Sequence, residues 1–292
     1  MFVNVLLISG FLATILLSFL STSIAFPLLN IINRWLKRVF LSTALAIFVN
    51  FLEIFYAKPI WLLSFLILLV MLLLESIYLW FNIRLLSYST MPLFPRFFND
   101  HQSLLWHQVL IPTNIQEWLK KHSFKHEQNL KSESLAGVLI RSAVYHESTH
   151  KIRLQILLIP SLLGKLKTFY IFSSYFESDT LVITDNIQLP FGGFCPPTWH
   201  VSRCPLIFSI DHLFKSHNKK IQKMDQSYIP WENPPLEDIN RQQHFLESES
   251  INAGFLFPIH LQEEYGRISW EGRYFLWKDI FLLKYFGLSL IK

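Results

Sequence analysis

The sequence predicts a small bundle of about three transmembrane helices followed by a cytoplasmic α+β domain with an antiparallel sheet of about four strands. Three observations predict it. Residues 1–33 hold no charged side chain, and only nine of the 26 Lys/Arg and 21 Asp/Glu residues fall in the first hundred positions. Apolar runs near the ~20 residues that cross a bilayer core recur before residue 84. Further on, "KIRLQILLI" (151–159) alternates, with Ile152, Leu154, Ile156 and Leu158 on one face and Lys151, Arg153 and Gln155 on the other. That is the period of a strand with one buried face.

The spans are expected at about 2–29, 39–57 and 59–83, forming a transmembrane region over 1–86. The first lacks a basic leader, and its apolar run exceeds the ~7–15 residues of a signal peptide, so it reads as a retained helix. Lys58-Pro59 separates the second and third spans as a tight helical hairpin, with proline tolerated where the N–H would lack a partner anyway. Tyr56, Trp61, Tyr78 and Trp80 lie towards span ends, where amphipathic rings favour the interface. Arg34, Lys37, Arg38, Arg84 and Arg96 flank one side and Lys58 the other. The excess of cations places the large domain in the cytoplasm and the N-terminus outside, in a multi-pass inner-membrane protein. Unpaired Cys195 and Cys204 fit a reducing compartment.

Two carboxylates, Glu53 and Glu75, fall inside the predicted spans, and intramembrane ionisable groups are functional candidates. Glu53 is five residues from Lys58 and can reach it or the outer interface. Glu75 is sixteen residues beyond Pro59, roughly 24 Å along a helix. The two therefore form no dyad. The sequence predicts a packing contact from Glu75 to Arg34 or Lys37, with a channel or transporter role as the alternative.

Residues 87–112, with Pro92, Pro95 and Pro112, read as a juxtamembrane linker, and 113–292 as the cytoplasmic domain. Thr113 is the expected N-cap of a short helix to about His122. "VLIRSAVYH" (138–146) and "KIRLQILLI" form one predicted hairpin, turning near Glu147-Ser148-Thr149. "TFYIFSSYF" (168–176) and "TLVITDN" (180–186) form a second, across Glu177-Ser178-Asp179. "LPFGGFCPPTWHVSRCP" (189–205) reads as part of a long, rigid surface loop over 186–206. Helices are expected at about Ser209–Met224, with Lys215, Lys219, Lys220 and Lys223 on a solvated face, and from Leu236 to near Gly254. The final "GRYFLWKDIFLLKYFGLSLIK" is predicted either to pack on the sheet or to lie in the inner-leaflet interface, since Lys284 makes it a poor span.

"VYHESTHKIR" (144–153) carries His146-Glu147-x-x-His150. This layout, with N-terminal spans and a cytoplasmic His-Glu-x-x-His, resembles that of membrane zinc peptidases. The resemblance implies His146 and His150 as zinc ligands, Glu147 as general base, and a third ligand such as Glu177, Asp179 or Glu264. It spans five residues plus a layout, and Ser148, Lys151 and the missing Gly and third His depart from the family's pattern. Zinc binding by this motif needs residues i and i+4 on one helix face. A hairpin turn removes that geometry, so no metal and no cofactor are assigned. Cys195, His200 and Cys204 are only three ligands at irregular spacing, short of the usual four. "YGRISWEGRYFLWK" (265–278) is loosely similar to the wing of winged-helix DNA binders, but net +5 spread over the chain gives no concentrated basic surplus.

No nucleotide loop or nucleophile elbow is present. The expected function is a non-enzymatic membrane protein whose cytoplasmic domain binds a partner or supports an assembly. Its expected partners are the lipid bilayer and a protein or second copy of the chain, with no nucleic acid. A tethered zinc peptidase and a Glu75-dependent channel component are the alternatives.

Overall fold

A computed structural model describes residues 15–16, 27–52, 58–89, 93–100, 106–133, 139–160, 166–177, 179–190, 193–225 and 227–291. Most of the first predicted span lies outside these residues. So does Glu53, and with it the test of its pairing.

The three-span expectation is corrected. Among the described residues one helix is long and apolar enough to cross a membrane: α2, Ile60–Ser87, which is 28 residues long and of which only 6% of the most apolar window is buried in the protein. The helix before it, α1, runs Pro27–Phe51 rather than starting near residue 39, and carries Arg34, Lys37 and Arg38 in its first half. Beyond Arg38, α1 has thirteen residues left, about 20 Å of helix, short of the ~30 Å hydrocarbon core. Apolar character alone exaggerated this segment, because the helix begins inside the polar loop rather than after it.

The four-stranded antiparallel sheet is corrected too. The described residues form an eight-stranded sheet: β1 (Phe98–Asn99), β2 (Phe124–Glu133), β3 (Leu139–Glu147), β4 (Arg153–Pro160), β5 (Leu166–Phe176), β6 (Thr180–Asp185), β7 (Trp199–Arg203) and β8 (Tyr228–Ile229). The order is β1 through β7 in sequence, and β8 pairs with β5 beyond the point where β4 begins, Tyr175 facing Ile229. All pairings are antiparallel except β6 with β7, where Leu181 faces Trp199 and Asp185 faces Arg203 in parallel register. The sheet is therefore mixed. Both hairpins read from the alternation are present, with Tyr145 opposite Leu154 in the first and Tyr175 opposite Leu181 in the second.

Both faces of the sheet are covered. On one, Leu154, Ile156, Leu158 and Phe172 pack against α4 (Thr113–Lys121) and α5 (Ile210–Ile221) through Ile115, Leu119, Leu213 and Phe214. A short α3 (Trp106–Leu110) joins this layer through Trp106. On the other face, Val144, Leu157 and Phe169 meet Ile239 of α6 (Pro235–Asn252) and Phe97. Hence Arg153, expected on a solvated face, is 2% exposed. Strands this rich in Ile, Leu and Phe gain from burial on both faces, at about 25 cal/mol per Å² of apolar surface removed from water.

After a single turn α7 (Gln262–Tyr265), the last helix α8 (Trp270–Phe286) leaves the sheet and packs on α1 and α2. Ser269 caps it by accepting from the Gly272 N–H at 3.0 Å. Trp277 Nε1 donates to Ser76 Oγ at 2.8 Å, and Trp35 Nε1 donates to the Tyr285 carbonyl at 3.0 Å. The end of α2 is held as well: Ser87, fully buried, accepts from the Arg267 and Ile268 N–H groups through its carbonyl and hydroxyl. The apolar helix is thus docked onto the α/β domain at its C-terminal end.

Candidate functional site

The His-Glu-x-x-His residues sit where strand meets turn. His146 is the penultimate residue of β3, and His150, with φ 56°, makes the left-handed corner before β4. His146 is 3% exposed, and its Nε2 accepts from Arg153 Nε at 2.8 Å. Burial first, then Arg153 and His150, push the His146 pKa down to about 3, so this nitrogen is an acceptor on a neutral ring. The two imidazoles are 5.3 Å apart between centroids and tilted by 59°. Glu147 accepts from the Thr149 hydroxyl at 3.0 Å, within the turn. Among the described residues no group of three or more His, Cys, Asp or Glu gathers as a metal site.

What the motif does build is a buried ionic knot. Arg153 donates from Nη2 to Asp238 Oδ2 at 2.9 Å, and its guanidinium lies 3.8 Å over the Trp231 ring. Asp238, 2% exposed in the first turn of α6, also accepts from Arg241 at 2.7 Å. The knot fixes the N-terminus of α6 to the β3–β4 hairpin.

The 186–206 stretch is not one long surface loop, because β7 runs through it. Cys204 packs with the α4/α5 layer, whereas Cys195 packs on the opposite side with Phe94 and Leu246. The sheet separates the two thiols, and His200 on β7 is exposed. Burial pushes the Cys195 thiol up to about 12, so it stays protonated. Of the lysine face on α5, Lys220 departs: its Nζ is buried without a hydrogen-bond partner among the described residues, and burial lowers its pKa.

Glu75 reaches neither Arg34 nor Lys37. It accepts from Arg38 Nη2 at 2.7 Å and from Lys284 and Tyr285 of α8. Arg34 instead donates to the Lys284 carbonyl. One carboxylate on α2 therefore ties α1 and α8 together.

A site not expected from the sequence reading lies on the α6 face of the sheet. A cavity of about 430 Å³ is walled by Leu157, Ile171 and Val201 below and by Leu246 above. Its volume falls within the ~300–1,000 Å³ of small-molecule sites, and its lining shares their pattern of many apolar and few polar groups. The polar groups are Gln155, Gln242, Gln243 and the Asp185–Arg203 pair. Arg203 Nε donates to Asp185 Oδ1 at 2.9 Å, and Nη1 donates to the Leu189 carbonyl at 2.8 Å. Gln155 donates to Ser142 Oγ at 2.9 Å. Among the described residues no nucleophile with an adjacent base lines this space, and its one thiol, Cys195, is protonated.

The cavity arises because α6 is pinned at its two ends. Arg153 and Asp238 hold its start, while Leu246 and Ser250, which donates to the Leu246 carbonyl and accepts from the Phe194 N–H, seat its end. Between them Gln242 and Gln243 replace the larger apolar side chains that would close the gap. The signal available in sequence was the outward-facing row Leu157, Ile159, Ile171 and Ile183, apolar on the face that single-sided alternation assigns to water.

The chain matches no protein-family model, no curated protein and no solved structure.

Proposed function

We propose that this is a non-enzymatic membrane protein whose α/β domain, on the cytoplasmic side of an inner membrane, takes up an apolar small molecule between the sheet and α6. The cavity carries the reading. Its floor is a row of branched aliphatic side chains left uncovered by α6, and Gln155, Asp185 and Arg203 in its wall are already hydrogen-bonded within the protein, so an apolar guest strips water from apolar walls without orphaning these groups. The exposed apolar surface of α2 supports attachment to a bilayer, since a helix apolar all round and unburied by protein has lipid as its natural solvent. The excess of Arg and Lys on the domain side supports the orientation.

A twelve-carbon alkyl probe tests this. Anything that binds only the folded state stabilises it by RT ln(1 + [L]/Kd), about 2.7 kcal/mol at 100 Kd. The wild-type protein should melt progressively higher as the probe is added at fixed detergent. Leu157→Trp, which fills the cavity, should abolish the shift while the apo protein still melts cooperatively. Equal shifts in both proteins would assign the effect to the detergent-covered surface and overturn the reading.

A further inference from the structure

The cavity does not end beneath α6. Ile159, Leu189 and Pro190 line it and also line a second, larger cleft of about 800 Å³, where the β4–β5 end of the sheet meets α1 and α8. The two spaces adjoin at these three residues and differ in chemistry. Three cations line the second cleft: Arg34 from α1, Lys167 from β5 and Lys284 from α8. Among the described residues no carboxylate lines it. Glu75 offsets part of this charge from outside, shared between Arg38 and Lys284. Lys167 has no ion-pair partner among the described residues, and Arg34 uses one of five N–H donors on the Lys284 carbonyl. The helix end that closes the cleft is also fixed: Gly287, at φ 65°, stops α8 where a Cβ would strike Leu206 and Ile31.

Resting on the apolar-ligand reading above, we propose that the guest is a single membrane lipid: its anionic phosphate headgroup sits among Arg34, Lys167 and Lys284, and its acyl chain threads past Ile159 and Leu189 into the cavity. Three facts converge on this occupant. The surplus of cations calls for an anion, because like charges gathered in a partly desolvated cleft repel unless neutralised. The chamber behind them calls for a hydrocarbon. The cationic cleft opens beside α1 and α8, the elements that clasp α2 through Glu75 and Ser76, so the mouth lies at the membrane-side end of the domain. Cytoplasmic leaflets supply anionic lipid, and each basic residue near such a surface contributes about a fivefold gain in affinity.

The experiment uses the full chain in detergent, with dodecyl phosphate, a neutral dodecyl glycoside and inorganic phosphate as probes, and nanodiscs with and without phosphatidylglycerol. Lys167 is exposed, so its substitution leaves the fold intact. The wild type should prefer dodecyl phosphate over the glycoside. Lys167→Gln should lower that preference about fivefold and Lys167→Glu about 25-fold, with neutral-probe affinity unchanged. Inorganic phosphate alone should bind far more weakly, and phosphatidylglycerol in the nanodisc should compete with dodecyl phosphate. Equal binding of both dodecyl probes in wild type and variants overturns the headgroup assignment but leaves the apolar cavity standing. Failure of every dodecyl probe overturns both. Dodecyl phosphate binding with no competition from phosphatidylglycerol overturns the membrane lipid and assigns the site to a soluble anionic amphiphile.

Discussion

Replacing Asp238 by Leu removes the anion on which the start of α6 depends. Arg153 and Asp238 are each 2% exposed, and their 2.9 Å contact is shielded by Trp231. Without the carboxylate, Arg153 keeps only His146 Nε2 and a 3.5 Å contact to the Asn233 carbonyl, with Nη1 already lacking a partner among the described residues. Removing one member of a buried pair costs about 3–5 kcal/mol, since it strands the other charge. For a 150–250-residue unit each kcal/mol moves Tm by about 2–4 °C, so Asp238→Leu should lower Tm by about 6–20 °C. Arg153→Met should cost less, because Asp238 retains Arg241 at 2.7 Å and Asn233 at 3.3 Å. The double variant should fall short of the sum of the singles by at least about 1 kcal/mol, the coupling of a direct pair. Thermal melts in one detergent, followed by near-ultraviolet dichroism, give all three numbers. Because the knot anchors the roof of the cavity, Asp238→Leu should also weaken dodecyl probe binding. Additive single and double effects, or a Tm loss under about 2 °C, the smallest shift that a single kcal/mol gives, would refute the claim that the knot positions α6.

Acid should destabilise the fold through two neutral imidazoles, His146 and His217, whose pKa values burial lowers to about 3. His217 is fully enclosed between Ser174 Oγ at 3.0 Å and Thr184 Oγ1 at 3.1 Å. Both gain a proton on unfolding below their unfolded pKa of ~6.5, so stability is complete above that value and lost as pH falls towards 3. A step from pH 7.5 to 5.5 should cost about 2–3 kcal/mol by denaturant titration, and an unchanged midpoint would contradict the burial of both rings. Glu75→Gln should loosen α8 from α1 and α2, read as faster hydrogen exchange over 277–286 with exchange in β3–β5 unchanged. Abolition of an ion flux in proteoliposomes, with exchange unaffected, would instead favour the channel alternative. A reporter fusion after Lys292 should signal from the cytoplasm, and an external C-terminal signal would reverse the orientation.

The two hairpins were legible because Ile, Leu and Phe alternate over enough residues to set a period. β2 was not: "FKHEQNLKSE" carries Lys, Glu and Asn, residues depleted in strands. Among its described side chains, those of Phe124, Asn129, Leu130 and Ser132 are buried. It forms because β3 offers a full ladder, from Phe124 opposite Glu147 to Glu133 opposite Leu139, with a bulge between His126 and Gln128. β7 was hidden by the prolines flanking it, although its five residues contain none. The partners of Glu75 are Arg38, Lys284 and Tyr285 rather than the expected Arg34 or Lys37, because they depend on helical phase and on α8 arriving from 209 residues away. The spans were over-read because hydropathy does not show where a helix begins, and α1 starts before Arg34. The cavity was illegible for the same reason as the buried Arg153: alternation reports that one face is apolar and says nothing of what covers the other.

A crystal structure of the full chain grown with a terminally brominated dodecyl phosphate tests the central claim most directly. Bromine is located by its own anomalous signal, without prior assumption about the ligand. A lipid seated as proposed places a bromine peak between the sheet and α6, in contact with Ile171 and Leu246, with the phosphate beside Lys167. Bromine confined to the belt around α2, with the cavity holding only water, would contradict it.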